Sequence, residues 1–124
     1  MAKAEARRKT TVRLPKQVRL AISAAEDKKA EELTVLDLHK AGGFTDYFVI
    51  CSGTNPRQIR AIADGVMDTL RLQEDIKPAH IEGYDRSEWI LLDYFDFVVH
   101  IFAPETRLFY GLERLWGNAD TVHP

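Results

Sequence analysis

Several side chains in this chain have the types and spacing that chemistry would use. Cys51 closes the apolar run Tyr47-Phe48-Val49-Ile50 and stands just before Ser52-Gly53-Thr54-Asn55-Pro56, a turn signal that opens a helix. A thiol at a strand end beside a helix N-terminus is where activated nucleophiles sit. Activation also needs a base and an oxyanion arrangement, and nothing in the sequence brings His100 to Cys51. A small buried residue at a strand end is the plainer reading, because free cysteine is among the most buried residue types.

Asp93, Asp96 and His100 are metal-ligating types, but their spacing is not a specific one. No HExxH, paired CxxC or calcium loop occurs in the chain. An aspartate at a hairpin turn is more simply explained by its side chain bonding nearby backbone N–H groups. Ser52-Gly53-Thr54 before a helix could cradle a phosphate. It lacks the glycine density and the lysine of a nucleotide loop, so helix capping is the simpler role. Neither a metal nor a cofactor is expected.

Trp89, Tyr94 and Phe95 gather at one strand and its turn, ringed by Glu82, Glu88, Asp93 and Asp96. Large aromatics near turns are often core, and an aromatic cluster with an acidic rim is also what a docking patch looks like. Both readings stay open. His100 interrupts the apolar run Phe97 to Phe102; by alternation it shares a face with Val98 and Phe102, while Phe97, Val99 and Ile101 take the other. It is either a hydrogen-bonded core histidine or a rim residue of a binding face.

The elements that must position these groups follow from periodicity and punctuation. Pro15 opens a helix with an apolar face at Val18, Ile22, Ala25 and Ala30. Leu33 to Leu38 alternates as a strand, and His39 to Thr45 with Gly42-Gly43 reads as a turn. Tyr47 to Cys51 reads as a central strand covered on both faces. Ile59, Ile62, Ala63, Val66, Met67 and Leu70 fall on one helix face. Lys77 to Glu82 reads as a short edge strand, since Pro78 is tolerated only at an edge or a strand start. Trp89–Asp93 and Phe97–Phe102 form a hairpin. Pro104 starts a last helix with Leu108, Leu112 and Leu115 as a core-facing stripe. The predicted order is α-β-β-α-β-β-β-α, an α/β or α+β layer domain.

At 124 residues and 45% hydrophobic, the chain suits one domain with one core. No apolar run reaches the ~18 residues of a membrane span, and no h-region follows the start, which argues against a secretory signal. The single cysteine cannot form an internal disulfide. Net charge is −2 but uneven: residues 1–16 carry Lys3, Arg7, Arg8, Lys9, Arg13 and Lys16 against Glu5, and the remainder has 11 basic and 18 acidic groups. The start reads as a solvated, flexible basic arm over 1–14. The acidic body argues against direct nucleic-acid recognition and suits a basic protein partner.

Three blocks of this sequence, Asp46 to Thr54 (DYFVICSGT), Trp89 to His100 (WILLDYFDFVVH) and Arg107 to Trp116 (RLFYGLERLW), resemble those of the ribosomal silencing factors, the Iojap-like family. Lys28-Lys29-Ala30-Glu31 and Val35-Leu36-Asp37 resemble its opening helix and first strand, so the resemblance covers roughly Val18 to Asn118. It implies a single α/β domain over 15–118 with a mixed, mostly five-stranded sheet flanked by helices, nucleotidyltransferase-like, followed by a short tail at 119–124. It implies binding to the large ribosomal subunit through its protein numbered fourteen, steric exclusion of the small subunit, and lowered translation when nutrients are scarce. No membrane contact is implied. An enzyme is not implied either, and the chain lacks the DxD-type carboxylate pair that nucleotidyltransferases place after their Gly-Ser turn.

The residues expected at the interface are Glu82, Trp89, Asp93, Tyr94, Asp96 and His100, with Arg107, Tyr110 and Trp116 holding the last helix to the sheet. A homodimer off the ribosome and a bacterial cytoplasmic location are further expectations. The alternative is a nucleotidyltransferase-like or cysteine-dependent enzyme using Ser52, Cys51 or the aspartates. The chain departs from the family pattern at Phe95, where a glycine is usual. A bulky residue tolerates φ > 0 poorly, which leaves the turn geometry open at that corner.

Overall fold

The computed structural model describes residues 14–122. Most of the expected basic arm therefore lies outside the described residues, although Leu14 is buried against the core. Helix α1 (Lys16–Asp27) follows Pro15 and buries Val18, Ala21, Ile22, Ala24 and Ala25. Helix α2 (Pro56–Glu74) buries Ile59, Ile62, Ala63, Val66 and Leu70, with Pro56 in its first turn and Asn55 as its cap, the Asn55 side chain accepting from the Gln58 amide at 2.9 Å. Gln58 also donates to the carbonyls of Lys28 and Lys29, so the start of α2 is tied to the end of α1.

Among the described residues six strands form one mixed sheet. In chain order they are β1 (Glu31–Asp37), β2 (Tyr47–Ser52), β3 (His80–Glu82), β4 (Trp89–Asp93), β5 (Phe97–Phe102) and β6 (Asp120–Val122). Their spatial order is β3-β4-β5-β2-β1-β6. Only β2 and β5 run parallel, with Ile50 opposite His100; every other pairing is antiparallel. The α/β class, the mixed sheet and the central placement of Tyr47–Cys51 agree with the sequence. The strand count does not: the sixth strand comes from the stretch read as a tail. Three residues carry too short a pattern to register as a strand, yet Val122 is buried opposite Val35.

The two sheet faces are covered unequally. One packs Val35, Val49, Cys51, Ile90, Leu92, Tyr94, Phe97, Val99 and Ile101 under α1 and α2, the main core. The other carries the smaller cluster of Leu36, Leu38, Phe48, Ile50, Val98, Phe102 and Leu112. Its cover is α3 (Pro104–Tyr110) and the four-residue α4 (Leu112–Leu115). The sequence predicts one helix here, but Gly111 at φ 54 ends α3 in the left-handed region and starts α4. The break turns the leucine stripe out of phase: Leu112 is buried, whereas Leu108 and Leu115 are exposed. The cover is short, and the β3–β4 side of this face stays open.

Candidate docking face

The hairpin joining β4 to β5 is closed by its own backbone and by one aspartate. Tyr94 N–H donates to the Phe97 carbonyl, Asp96 N–H to the Tyr94 carbonyl, and Phe95 N–H to Oδ1 of Asp93, each at 2.9 Å. Asp93 thus does the turn work its position suggests. The β1–β2 loop clasps the same turn: the Thr45 hydroxyl donates to the Phe95 carbonyl, and Asp46 N–H to the Asp96 carbonyl at 3.0 Å. Phe95 keeps a left-handed φ of 72° despite its bulk, a conformation costing a non-glycine residue about 1–2 kcal/mol.

The aromatics expected to cluster are separated by the strand alternation. Tyr94 is only 7% exposed and stacks on Phe97 in the main core, with ring centroids 4.9 Å apart. Its expected place in a surface patch is therefore corrected: Tyr94 follows Ile90 and Leu92 onto the helix-covered face. Its hydroxyl has no hydrogen-bond partner among the described residues, and burial pushes its pKa up to about 12. Phe95 projects from the tip and is 73% exposed.

Trp89 lies on the opposite, half-covered face. It stacks on Phe102 at 4.8 Å and meets Tyr110 at 4.7 Å, while its Nε1–H donates to Nδ1 of His100 at 3.1 Å. His100 is buried, with Phe48 edge-on at 4.5 Å, and burial pushes its pKa down to about 3. Of the two positions expected for it, core or rim, the structure gives it the core. It is a neutral core histidine that supports Trp89 from beneath.

Beside Trp89 the open part of this face forms a cleft of about 490 Å³, lined by Phe44, His80, Glu82, Gly83, Trp89, Leu91, Asp93 and Val98. Half-buried Leu91 and the buried Val98 form its apolar floor because Trp89, Leu91 and Asp93 alternate onto one face, opposite Phe102, His100 and Val98 of β5. Glu82 and Asp93 give it acidic edges, and His80 bonds Glu82 at 2.6 Å. Gly83, at φ 76, is where the chain enters the loop between β3 and β4; a Cβ there would lie 2.0 Å from the Trp89 carbonyl, so no other residue fits. Of the residues expected at the interface, Glu82, Trp89 and Asp93 line this cleft. Asp96 is exposed at the hairpin, while Tyr94 and His100 are buried. Phe44, Leu91 and Val98 were not expected. An apolar ring in the glycine-rich turn His39–Thr45 was the one available signal for Phe44.

The other candidate chemistry does not assemble. Cys51 is fully buried, and burial pushes its thiol up to about 12, the reverse of an activated nucleophile. Ser52 is buried and accepts from Arg107 Nη1 at 3.0 Å. Arg107 also meets Thr34 and pairs with Glu113 at 3.1 Å, tying α3 to the sheet and to α4. Among the described residues no group of three His, Cys, Asp or Glu side chains could hold a metal ion, and no helix is long and apolar enough to cross a membrane.

Comparison with known proteins decides the family. Residues 11–124 match the model of the family described as "Ribosomal silencing factor during starvation". The chain belongs to the ribosomal silencing factor family. It is 38% identical to the ribosomal silencing factor RsfS of Halalkalibacterium halodurans over 105 residues, covering 85% of this chain and 89% of that one. The crystal structure of a Chromobacterium violaceum protein superimposes with a TM-score of 0.78 at 34% identity, covering 82% of this chain and 83% of that one. A more distant relative, the mouse protein named "Mitochondrial assembly of ribosomal large subunit protein 1", is 34% identical over 98 residues, 77% of this chain and 42% of that one.

Proposed function

We propose that this silencing factor represses translation by binding the large ribosomal subunit through the Trp89–Leu91–Val98 cleft and excluding the small subunit by its volume. The observation that carries this reading is an apolar sheet face left half uncovered and edged by Glu82 and Asp93, with Asp96 exposed at the adjacent hairpin. Core-forming strands do not ordinarily leave such a floor open. Acidic edges suit a basic protein seated among rRNA phosphates, and opposite charge speeds encounter and fixes register. The partner is the large-subunit protein numbered fourteen, as the family resemblance implies, and the mouse relative is named for assembly of the mitochondrial ribosomal large subunit. An ordinary interface of ~800 Å² per side is enough. No bond is made or broken, so no catalytic group or cofactor is required, and the setting is the bacterial cytoplasm under nutrient limitation.

Co-sedimentation with purified large subunits tests the reading. Glu82→Lys with Asp96→Lys reverses two exposed charges without touching the core, and binding should be lost while the thermal melt is unchanged. Undiminished binding by the double variant rules this face out. Added to separated subunits, the wild-type protein should lower the fraction that joins. Calorimetry with ATP, CTP and Mg²⁺ addresses the enzyme alternative, for which saturable heat would be required.

Off the ribosome, a second copy of the chain is the proposed occupant of the neighbouring apolar surface. Leu108, Phe109 and Leu115 are exposed, and Tyr110, half exposed, joins them to Trp89. Light scattering over a concentration series tests this, and large subunits should dissociate such a dimer because the two surfaces meet at Trp89.

A further inference from the structure

We infer that Phe95 is a rigid docking prong that seats in an apolar recess of the basic large-subunit protein, and so sets affinity for that partner. The inference rests on the large-subunit reading and adds to it a contact outside the cleft.

Phe95 is costly in two ways that the fold itself does not repay. A phenylalanine is held at φ 72, where β-branched and bulky residues are outliers and glycine or asparagine is usual. Its ring is 73% exposed and joins neither apolar cluster. Both bonds that hold the residue use its backbone, with Asp93 Oδ1 on its N–H and the Thr45 hydroxyl on its carbonyl. The turn would close in the same way around a residue without a ring. Strain of this kind, fixed by its surroundings at an exposed site, points to function.

The occupant follows from what adjoins the ring. Thr45 is preceded by Phe44, itself 75% exposed and a wall of the cleft, so the cleft wall stands one residue from the clasp that holds the hairpin tip. Asp93, Asp46 and the exposed Asp96 stand within two residues of the clasped turn, giving an aromatic anchor an acidic surround. That pattern complements a cationic protein surface with a hydrophobic recess, not a nucleic-acid backbone, which the carboxylates would repel. An anchor already fixed by its turn loses little conformational freedom on binding, and aromatic anchors of this type dominate interface energetics.

The test measures binding and stability together on the full chain. Phe95→Asn and Phe95→Gly keep the left-handed turn and relieve its strain, so both should melt at or above the wild-type temperature. Both should bind purified large subunits about tenfold more weakly, and Phe95→Tyr should restore binding to within about threefold. If Phe95→Asn binds as wild type does, the prong is wrong while the large-subunit reading stands. A fall in melting temperature of more than about 4 °C for both variants would show that the ring supports the fold, and also overturns the inference. Failure of the wild-type protein itself to co-sediment would remove the underlying reading and the prong with it.

Discussion

Trp89 donates its indole N–H to Nδ1 of His100 across the β4–β5 pair at 3.1 Å. The bond fixes the imidazole as the neutral tautomer protonated on Nε2, and that Nε2 has no partner among the described residues. The histidine is therefore a one-sided support: it holds the edge of the cleft in place and gains nothing from becoming charged.

Acid should loosen this support. Burial holds the folded-state pKa of His100 near 3, against 6.5 for the free side chain, so the unfolded chain takes up the proton first. The stability contribution is fully present above pH 6.5 and is lost as pH falls from there toward 3. The loss is about 1.4 kcal/mol per pH unit, so about 2 kcal/mol disappears between pH 6.5 and 5. Urea unfolding at those two values should show this slope in wild type and a clearly smaller one in His100→Gln, which keeps an acceptor for Trp89 without titrating. Equal slopes would show that His100 is not the group responsible.

Tyr94 should behave as a core residue with a superfluous hydroxyl. Its ring stacks on Phe97 and its oxygen is buried without a partner among the described residues. Tyr94→Phe removes an uncompensated polar group and should stabilise the fold by about 1 kcal/mol. Tyr94→Ala empties the site and should cost about 3–5 kcal/mol. Chemical denaturation of the two variants distinguishes this from a binding role, in which both would melt like wild type and fail to bind.

These two residues also show what could be read in the chain and what could not. Alternation alone placed His100 with Val98 and Phe102, and that assignment was right because both hairpin strands keep period two throughout. It did not say which face the helices cover, so Tyr94 and His100 were expected at a surface where neither lies. The apolar helix face from Ile59 to Leu70 was legible because six positions repeat over three turns. The stripe Leu108–Leu112–Leu115 failed because one glycine at φ 54 resets the helix phase. The cleft was only half legible: Glu82, Trp89 and Asp93 belong to the hairpin and its edge strand, whereas Phe44 arrives from a loop some 40 residues away, a contact that no local pattern encodes.

Arg107 should prove structural through its contacts with the sheet more than through its ion pair. Its side chain is 11% exposed and reaches Ser52 and Thr34, whereas Glu113 is 40% exposed and solvent weakens that pairing. Arg107→Ala should cost about 2 kcal/mol, leaving the buried Ser52 hydroxyl without its donor. Glu113→Ala should cost well under 1 kcal/mol, and a double-mutant cycle between the two should return less than about 1 kcal/mol of coupling. A coupling larger than the cost of losing Ser52 contact would reverse this ranking.

His39 should titrate in the opposite sense to His100. It lies in the β1–β2 loop that carries Phe44 and Thr45, with Nδ1 2.7 Å from Asp37 and Nε2 3.4 Å from Asp46. Its pKa is raised, chiefly by the Asp37 hydrogen bond, which outweighs the opposing desolvation, and the charges of Asp37 and Asp46 add to it. A raised histidine pKa gives a contribution fully present below about 6.5 and lost as pH rises through the folded-state value. The group is half exposed, so salt should screen much of the effect. NMR titration should place His39 above an ordinary histidine in wild type and return it toward the ordinary value in Asp37→Asn. The Phe44 resonances should shift with the same midpoint, because the protonated ring clasps both ends of the loop that presents Phe44 to the cleft. A His39 midpoint that ignores Asp37→Asn would leave the loop held by Thr45 and Asp46 alone.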